Sequence, residues 1–263
     1  MRLKGKAAII TGAGQREGDG VGNGRATAIL FAREGAKVLL VNRSMASMEG
    51  TRDLLLKEGV EAGCMTADVS NDDDCASIVN NAVSMFGRVD ILHNNVGIVG
   101  ADGDTTKIER KTWDETLSVN LTGAMQISKH VLPVMRQQNS GSIIHLSSIA
   151  AIASYPVISY KASKAALQEF TRWLAFENAP YNIRCNILML GLMDTPMGIE
   201  YHHATSGIPR DELRAQRSAT VPMKRMGTAW DTAHAAVFLA SDEASYITGA
   251  ILPIDGGLHT RVG

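Results

Sequence analysis

Cysteine is scarce in this chain: Cys64, Cys75 and Cys185 are three in 263 residues, odd in number and far apart. That excludes a disulfide framework, and no pair stands at the spacing of a zinc site, so the sequence predicts reduced thiols, no metal and a cytoplasmic protein. No apolar run is long enough to span a bilayer, which argues against a membrane partner. Basic runs are missing as well, and a formal net charge of −1 leaves no electrostatic footprint for nucleic acid. The opening Met1-Arg2-Leu3-Lys4-Gly5-Lys6 has no apolar signal core and leads straight into a strand-like segment, against secretion. Nor does any low-complexity linker or shift in composition divide the chain. It reads as a single domain over 1–263, long enough to bury a large core.

What is present is alternation. Segments 6–10, 36–41, 61–66, 89–94, 141–146, 183–188 and 250–254 read as short buried strands, and 45–58, 72–86, about 110–137 and 159–177 carry helical periodicity between them. A further helix follows the first strand, where Ala26, Ala28, Ile29, Leu30 and Phe31 supply an apolar face and Glu34-Gly35 ends it. Such alternation implies right-handed crossovers and an α/β fold: a doubly wound parallel sheet of about seven strands with helices on both faces, of Rossmann type. Ligands of these sheets bind outside the carboxyl ends of the strands. Gly12 and Gly14 follow the first strand there, Asn42 and Arg43 the second, Asp68 the third, 94–97 the fourth and Ser148 the fifth.

Two of these features carry chemistry. The glycines of Thr11-Gly12-Ala13-Gly14 and Gly22-Asn23-Gly24 stand between strand and helix, where the backbone can turn tightly and approach a pyrophosphate. Free N–H groups and the positive end of the helix dipole would meet its charge. Tyr160 and Lys164, at i and i+4, share a helix face, so the ammonium can draw a phenol with a free pKa of about 10 towards ionisation.

With Asp68-Val69, Asn94-Asn95-Val96-Gly97, Val119-Asn120, Ser147-Ser148, Tyr160-Lys161-Ala162-Ser163-Lys164, Ile247-Thr248-Gly249 and Asp255-Gly256-Gly257, these motifs resemble the short-chain dehydrogenase/reductase family over essentially the whole length. The resemblance implies an NAD(P)-dependent oxidoreductase interconverting a secondary alcohol and a ketone, with Asn120, Ser148, Tyr160 and Lys164 as its catalytic residues. Hydride transfer to a carbonyl builds charge on the oxygen, so a proton donor and a polarising hydroxyl must stand close by. Tyr160 would be the acid in reduction and the base in oxidation. Lys164 would lower its pKa and bond the nicotinamide ribose. Asn120 would bend its helix and hold a water that links Lys164 to solvent; without the resemblance it reads as a mid-helix asparagine bonding backbone. Ser148 is preferred to Ser147 because Ser148-Ile149-Ala150 matches the family's segment, while loop 151–159 absorbs a spacing to Tyr160 one residue shorter than the commonest. Ser147 is then a structural hydroxyl bonding backbone.

Cofactor contacts are implied at Gly12, Gly14, Gly22, Gly24, Asn42, Arg43, Asp68, Val69, Asn95, Gly97, Gly191, Met193 and Thr195, beside Tyr160 and Lys164. Asp68 would bond the adenine amino group and Val69 pack on the ring, with a solvated Asp68 capping the helix at Asn71 as the alternative. Asn42 stands where an acidic residue would repel a 2′-phosphate, and Arg43 and Ser44 could bind one, which favours NADP(H) over NAD(H).

Two departures from the family pattern stand out. About six residues, 15–21, are inserted in the glycine motif, either folded over the cofactor with Arg16 near a phosphate or as a solvated loop; and Leu190-Gly191 replaces the usual Pro-Gly, changing a pocket wall. Residues 192–222 would form a lid. Its Met193, Met197, Ile199, Tyr201 and Ile208 point to a hydrophobic or cyclic ketone or secondary alcohol, with Val99, Ala150, Leu192, Met197 and Tyr201 as substrate contacts. His202-His203 reads as solvated, His93 and His145 as packed and hydrogen-bonded, and 210–217 as an exposed helical face. The resemblance also implies subunit contacts through the helices of Asn120 and Tyr160 and the last strand near 250–254, with a homotetramer as the expectation. The rival readings are a catalytically silent NAD(P)-binding sensor and a sugar-nucleotide epimerase or dehydratase.

Overall fold

Strands buried along their whole length need cover on both faces, which a parallel sheet with helical crossovers supplies. β1 (Ala7–Thr11) is such a strand. The computed structural model describes residues 1–100, 102–153 and 156–261. After β1 come α1 (Asn23–Arg33), β2 (Lys37–Asn42), α2 (Ala46–Lys57), β3 (Ala62–Thr66), α3 (Asp72–Phe86), β4 (Ile91–Asn94), α4 (Arg110–Leu117), α5 (Gly123–Gln138), β5 (Gly141–Ser148), α6 (Ile158–Asn178) and β6 (Ile183–Leu190). The chain continues through β7 (Met193–Asp194), α7 (Pro196–Ser206), α8 (Arg210–Thr220), β8 (Gly227–Thr228), α9 (Ala229–Ala240) and β9 (Ile251–Ile254). Seven strands form one parallel sheet in the order β3-β2-β1-β4-β5-β6-β9, so the winding reverses between β1 and β4 and opens a crevice at their carboxyl ends.

Alternation along each strand divides the core. Ile10 and Leu40 point into the layer shared with α1 and α9, while their neighbours Ile9 and Leu39 point into the layer shared with α3 and α5. The expected helix over about 110–137 is interrupted by a π-helical turn at Ser118–Thr122 that carries Asn120. β5 and β6 run two residues beyond the expected 146 and 188, so Ser147, Ser148 and Leu190 lie within strands rather than after them. Both strand histidines are fully buried, and burial pushes their pKa values down to about 3. His145 is hydrogen-bonded as expected, to Thr171 Oγ1 at 2.9 Å and Ser128 Oγ at 3.4 Å. His93 is not: neither ring nitrogen has a partner among the described residues, and the ring packs edge-on to Phe31.

The glycine turn is tight enough to exclude a methyl group. A Cβ on Gly24 would stand 2.2 Å from the carbonyl oxygen of Gly12, and backbone cannot yield as a side chain can. Gly24→Ala is therefore expected to cost about 2–3 kcal/mol, read as a lower denaturation midpoint at unchanged slope.

Candidate active site

The carboxyl ends of β1, β2, β4, β5 and β6 open into one cleft of about 1250 Å³. Of the site residues named from the sequence, all but Asn120 line it. Gly22 caps α1 without any side-chain bond, and the first turn of that helix holds no acidic residue. Its leading N–H groups therefore face the cleft beside Gly12 and Gly14 with their charge uncompensated. Asn95, the residue after β4, fastens the turn, its Nδ2 donating to the Gly12 carbonyl at 2.9 Å. A cradle of bare backbone over a helix N-terminus fits a dinucleotide pyrophosphate.

At the other end of the cleft Lys164 is almost fully buried, at 4% exposure. Its Nζ donates to the Leu146 carbonyl at 2.9 Å and lies 5.7 Å from the centre of the Tyr160 ring. Burial pushes its pKa down to about 8. Ser147 turns inward, donating to the Lys164 carbonyl at 3.0 Å and accepting from Gln168, while Ser148 Oγ accepts from the Ala150 amide at the cleft wall. Asn120 stands behind that wall. Its Oδ1 accepts from the Ile98 amide at 2.8 Å and its Nδ2 donates to the Ile98 carbonyl and to Ser163 Oγ, clamping the segment after β4 against α6. The π-helical turn aims the side chain there.

At the carboxyl end of β2, Asn42 is already engaged, donating to Ser47 Oγ and accepting from the Arg43 amide. Arg43 is exposed and 4.0 Å from Asp68. Partial burial raises the Asp68 pKa, but the Ser70 hydroxyl and amide, with Arg43, lower it further, so the carboxylate stays charged. Asn71, not Asp68, caps α3, accepting from the Asp74 amide.

Beyond β6, Gly191 is pressed against Asp255, where a Cβ would meet the Asp255 Cβ at 2.6 Å. Thr195 caps α7 by accepting from the Gly198 amide. The insertion at 15–21 is tied down at both ends. Gln15 bonds the Arg16 and Gly20 carbonyls and the Gly22 amide. Asp19 pairs with Arg214 of α8 at 3.7 Å, and Arg16 lines the cleft.

Several contributors carried no local sequence signal. Asp102 caps α6 through the Ser159 amide at 2.8 Å from 57 residues away. Lys161, within the Tyr160 motif, holds the loop after β5 by its carbonyls of Ala150, Ala151 and Ala153. Residues 154 and 155 of that loop lie outside the described residues. Arg217 lines the cleft, so the charge alternation of 210–217 does not mark a wholly exposed face. Among the described residues there is no metal-binding cluster, and no helix is long and apolar enough to cross a membrane.

The family profile described as enoyl-(acyl carrier protein) reductase matches residues 19–259. The 3-oxoacyl-[acyl-carrier-protein] reductase FabG of Thermotoga maritima is 36% identical, over 98% of this chain and 99% of its own length. Levodione reductase of Leifsonia aquatica is 34% identical, over 97% and 95%. Among solved structures, a Burkholderia xenovorans protein described as a short-chain dehydrogenase/reductase superposes with a TM-score of 0.93 at 40% identity, over 100% of this chain and 99% of its own. NAD+-bound xylitol dehydrogenase superposes at 0.89 and 31% identity, over 98% and 100%.

Proposed function

This chain belongs to the short-chain dehydrogenase/reductase family of oxidoreductases, and from that premise we propose that it transfers a hydride between a nicotinamide cofactor and a hydrophobic or cyclic ketone or secondary alcohol. The observation that carries the reading is the buried Lys164 set beside Tyr160 in the cleft. The cofactor, when bound, supplies or accepts the hydride. Tyr160 gives the proton to the developing alkoxide, or takes it from the alcohol, and the Lys164 charge keeps its phenol near ionisation. Ser148, in the same cleft, polarises the carbonyl oxygen. Asn120 is a positioning residue, holding the segment that packs on Lys164; a Cβ on Gly97 would stand 3.2 Å from the Lys164 Nζ. Gly12, Gly14, Gly22, Gly24, Asn95 and Gly97 hold the phosphates and ribose, and Gly191, Met193 and Thr195 the carboxamide side. Residues 192–222 are read as a lid, with Val99, Ala150, Leu192, Met197 and Tyr201 around the substrate. Three unpaired thiols favour a reducing, cytoplasmic setting.

The test is nicotinamide absorbance with either cofactor against cyclic, aryl and aliphatic ketones and alcohols. Turnover supports the reading. Cofactor binding without hydride transfer across the whole panel would favour a sensor instead.

We assign NADP(H) as the preferred cofactor, since the β2 end offers Asn42 and the exposed Arg43 and, among the described residues lining the cleft, no carboxylate except Asp68. Asn42→Asp is expected to lower the NADP-to-NAD ratio of kcat/KM by tenfold or more, the scale of one like-charge contact in a partly screened site. An unchanged ratio would sink the assignment.

Rings left in water support the homotetramer proposed for this chain. Trp173 and Phe176 on the outer face of α6 are 59% and 74% exposed, with centroids 5.8 Å apart. Such a patch favours a subunit contact. Replacing both by glutamate is expected to shift the elution volume to a smaller species; a wild-type protein eluting at monomer mass would contradict it.

A further inference from the structure

The arginines of α8 are not alike. Arg210 pairs with Glu200, and Arg214 with Asp194, Asp211 and Asp19. Arg217, the next in the row, lines the cleft and has no carboxylate within ion-pair distance among the described residues. Its Nε is buried and donates to no described acceptor. A buried guanidinium donor without an acceptor carries a desolvation cost of about 1–3 kcal/mol, an arrangement that lasts where an incoming group supplies the acceptor.

The surroundings narrow what that group can be. His202 of α7 also lines the cleft, and burial together with the Arg217 charge disfavours its cation. Arg261 reaches in from the chain end, its Nη1 on the Thr220 carbonyl at the end of α8. The nearby carboxylate of Asp255 is committed to the His259 amide and ring and to the Gly257 amide. Asp68 is the one acidic residue lining the cleft among those described, and it sits at the β3 end beside Arg43. The cleft that Arg217 shares with Tyr160 also has apolar lining, with Ile152, Val157, Met197 and Leu258.

We infer that Arg217, flanked by Arg261, forms an anion subsite of the substrate pocket, and that the substrate carries a carboxylate or sulfonate at the end away from its reacting carbon. A guanidinium takes two oxygens of such a group in parallel, while the apolar side chains that line the same cleft take the body of the substrate. The inference rests on the hydride-transfer reading, so its test has one arm that needs no turnover.

In that arm, cyclohexanecarboxylate is titrated calorimetrically into the enzyme with bound NADP(H). Binding is expected to weaken about tenfold or more in Arg217→Met, the scale of one charge-assisted pair, and to be partly kept in Arg217→Lys. In the second arm, 4-oxocyclohexanecarboxylate is compared with its methyl ester. The acid-over-ester ratio of kcat/KM is expected to exceed ten in wild type and to fall towards one in Arg217→Met. Equal binding of the carboxylate by wild type and Arg217→Met overturns the inference, as does a loss in the variant confined to cofactor affinity. Uncharged ketones that fail as well would count against the hydride-transfer reading instead, leaving the binding arm to decide the subsite.

Discussion

Tyr160→Phe is expected to lower kcat by roughly 10²–10⁴ with the fold unchanged, the range that a positioned general acid or base contributes. The substitution removes one oxygen and keeps the ring, so the packing over Lys164, whose Nζ stands 5.7 Å from the ring centre, survives. Cofactor affinity should stay close to wild type, because the glycine turn, Asn95 and the N-terminus of α1 are untouched. Stopped-flow fluorescence for binding and nicotinamide absorbance for turnover separate the two. Full turnover in the variant would remove Tyr160 from proton transfer; joint loss of binding and turnover would make it a structural residue.

The second large effect is a gain in stability bought with activity. Lys164→Met is expected to abolish measurable turnover yet raise the stability of the cofactor-free protein at neutral pH. Burial lowers the folded pKa of this lysine from 10.5 to about 8, and at about 1.4 kcal/mol for each tenfold the buried charge costs about 3 kcal/mol. Losing the donor to the Leu146 carbonyl returns about 1 kcal/mol of that, leaving a net gain of about 2 kcal/mol. Between pH 8 and 10.5 the unfolded chain binds the proton more than the folded one does, so wild-type stability rises with pH across that window. Below pH 8 the penalty is fully present. The gap between variant and wild type should thus be constant at neutral pH and close as pH rises through 8 to 10.5, seen by denaturant titration at several pH values. A variant less stable than wild type at pH 7 would mean that Lys164 lies in a more polar setting than its burial indicates. A stability cost carried at this position accords with a lysine kept for its charge beside the phenol.

How much was legible follows from how local each signal is. Fully apolar strands such as 6–10 and 36–41 can sit only inside a sheet covered on both faces, and the parallel architecture follows from their alternation with helices. The glycines were legible because a turn under a helix N-terminus has few chemical solutions. Strand ends were less so: Ser147, Ser148 and Leu190 are paired by ladder bonds to neighbouring strands, which no property of 147, 148 or 190 announces. The π-helical turn at Asn120 was hidden inside one continuous amphipathic pattern, since a single extra residue per turn barely disturbs the periodicity. His93 shows the opposite failure, a polar residue in an apolar strand whose bonding depended on what happened to pack beside it.

By itself, then, the sequence determined the layer architecture, the edge of the sheet at which ligands bind and the pairing of Tyr160 with Lys164, because each depends on periodicity or on residues within one or two turns of one another. Only the tertiary structure decided that Ser147 is committed to the Lys164 carbonyl and Gln168, that Asn120 works from behind the cleft wall, that Asp102 caps α6, that the 15–21 insertion is pinned to α8, and that Arg217 alone of its row is left without a carboxylate among the described residues. Each of those depends on groups brought together from distant parts of the chain, whose meeting is fixed by the packing of the whole sheet and its helices.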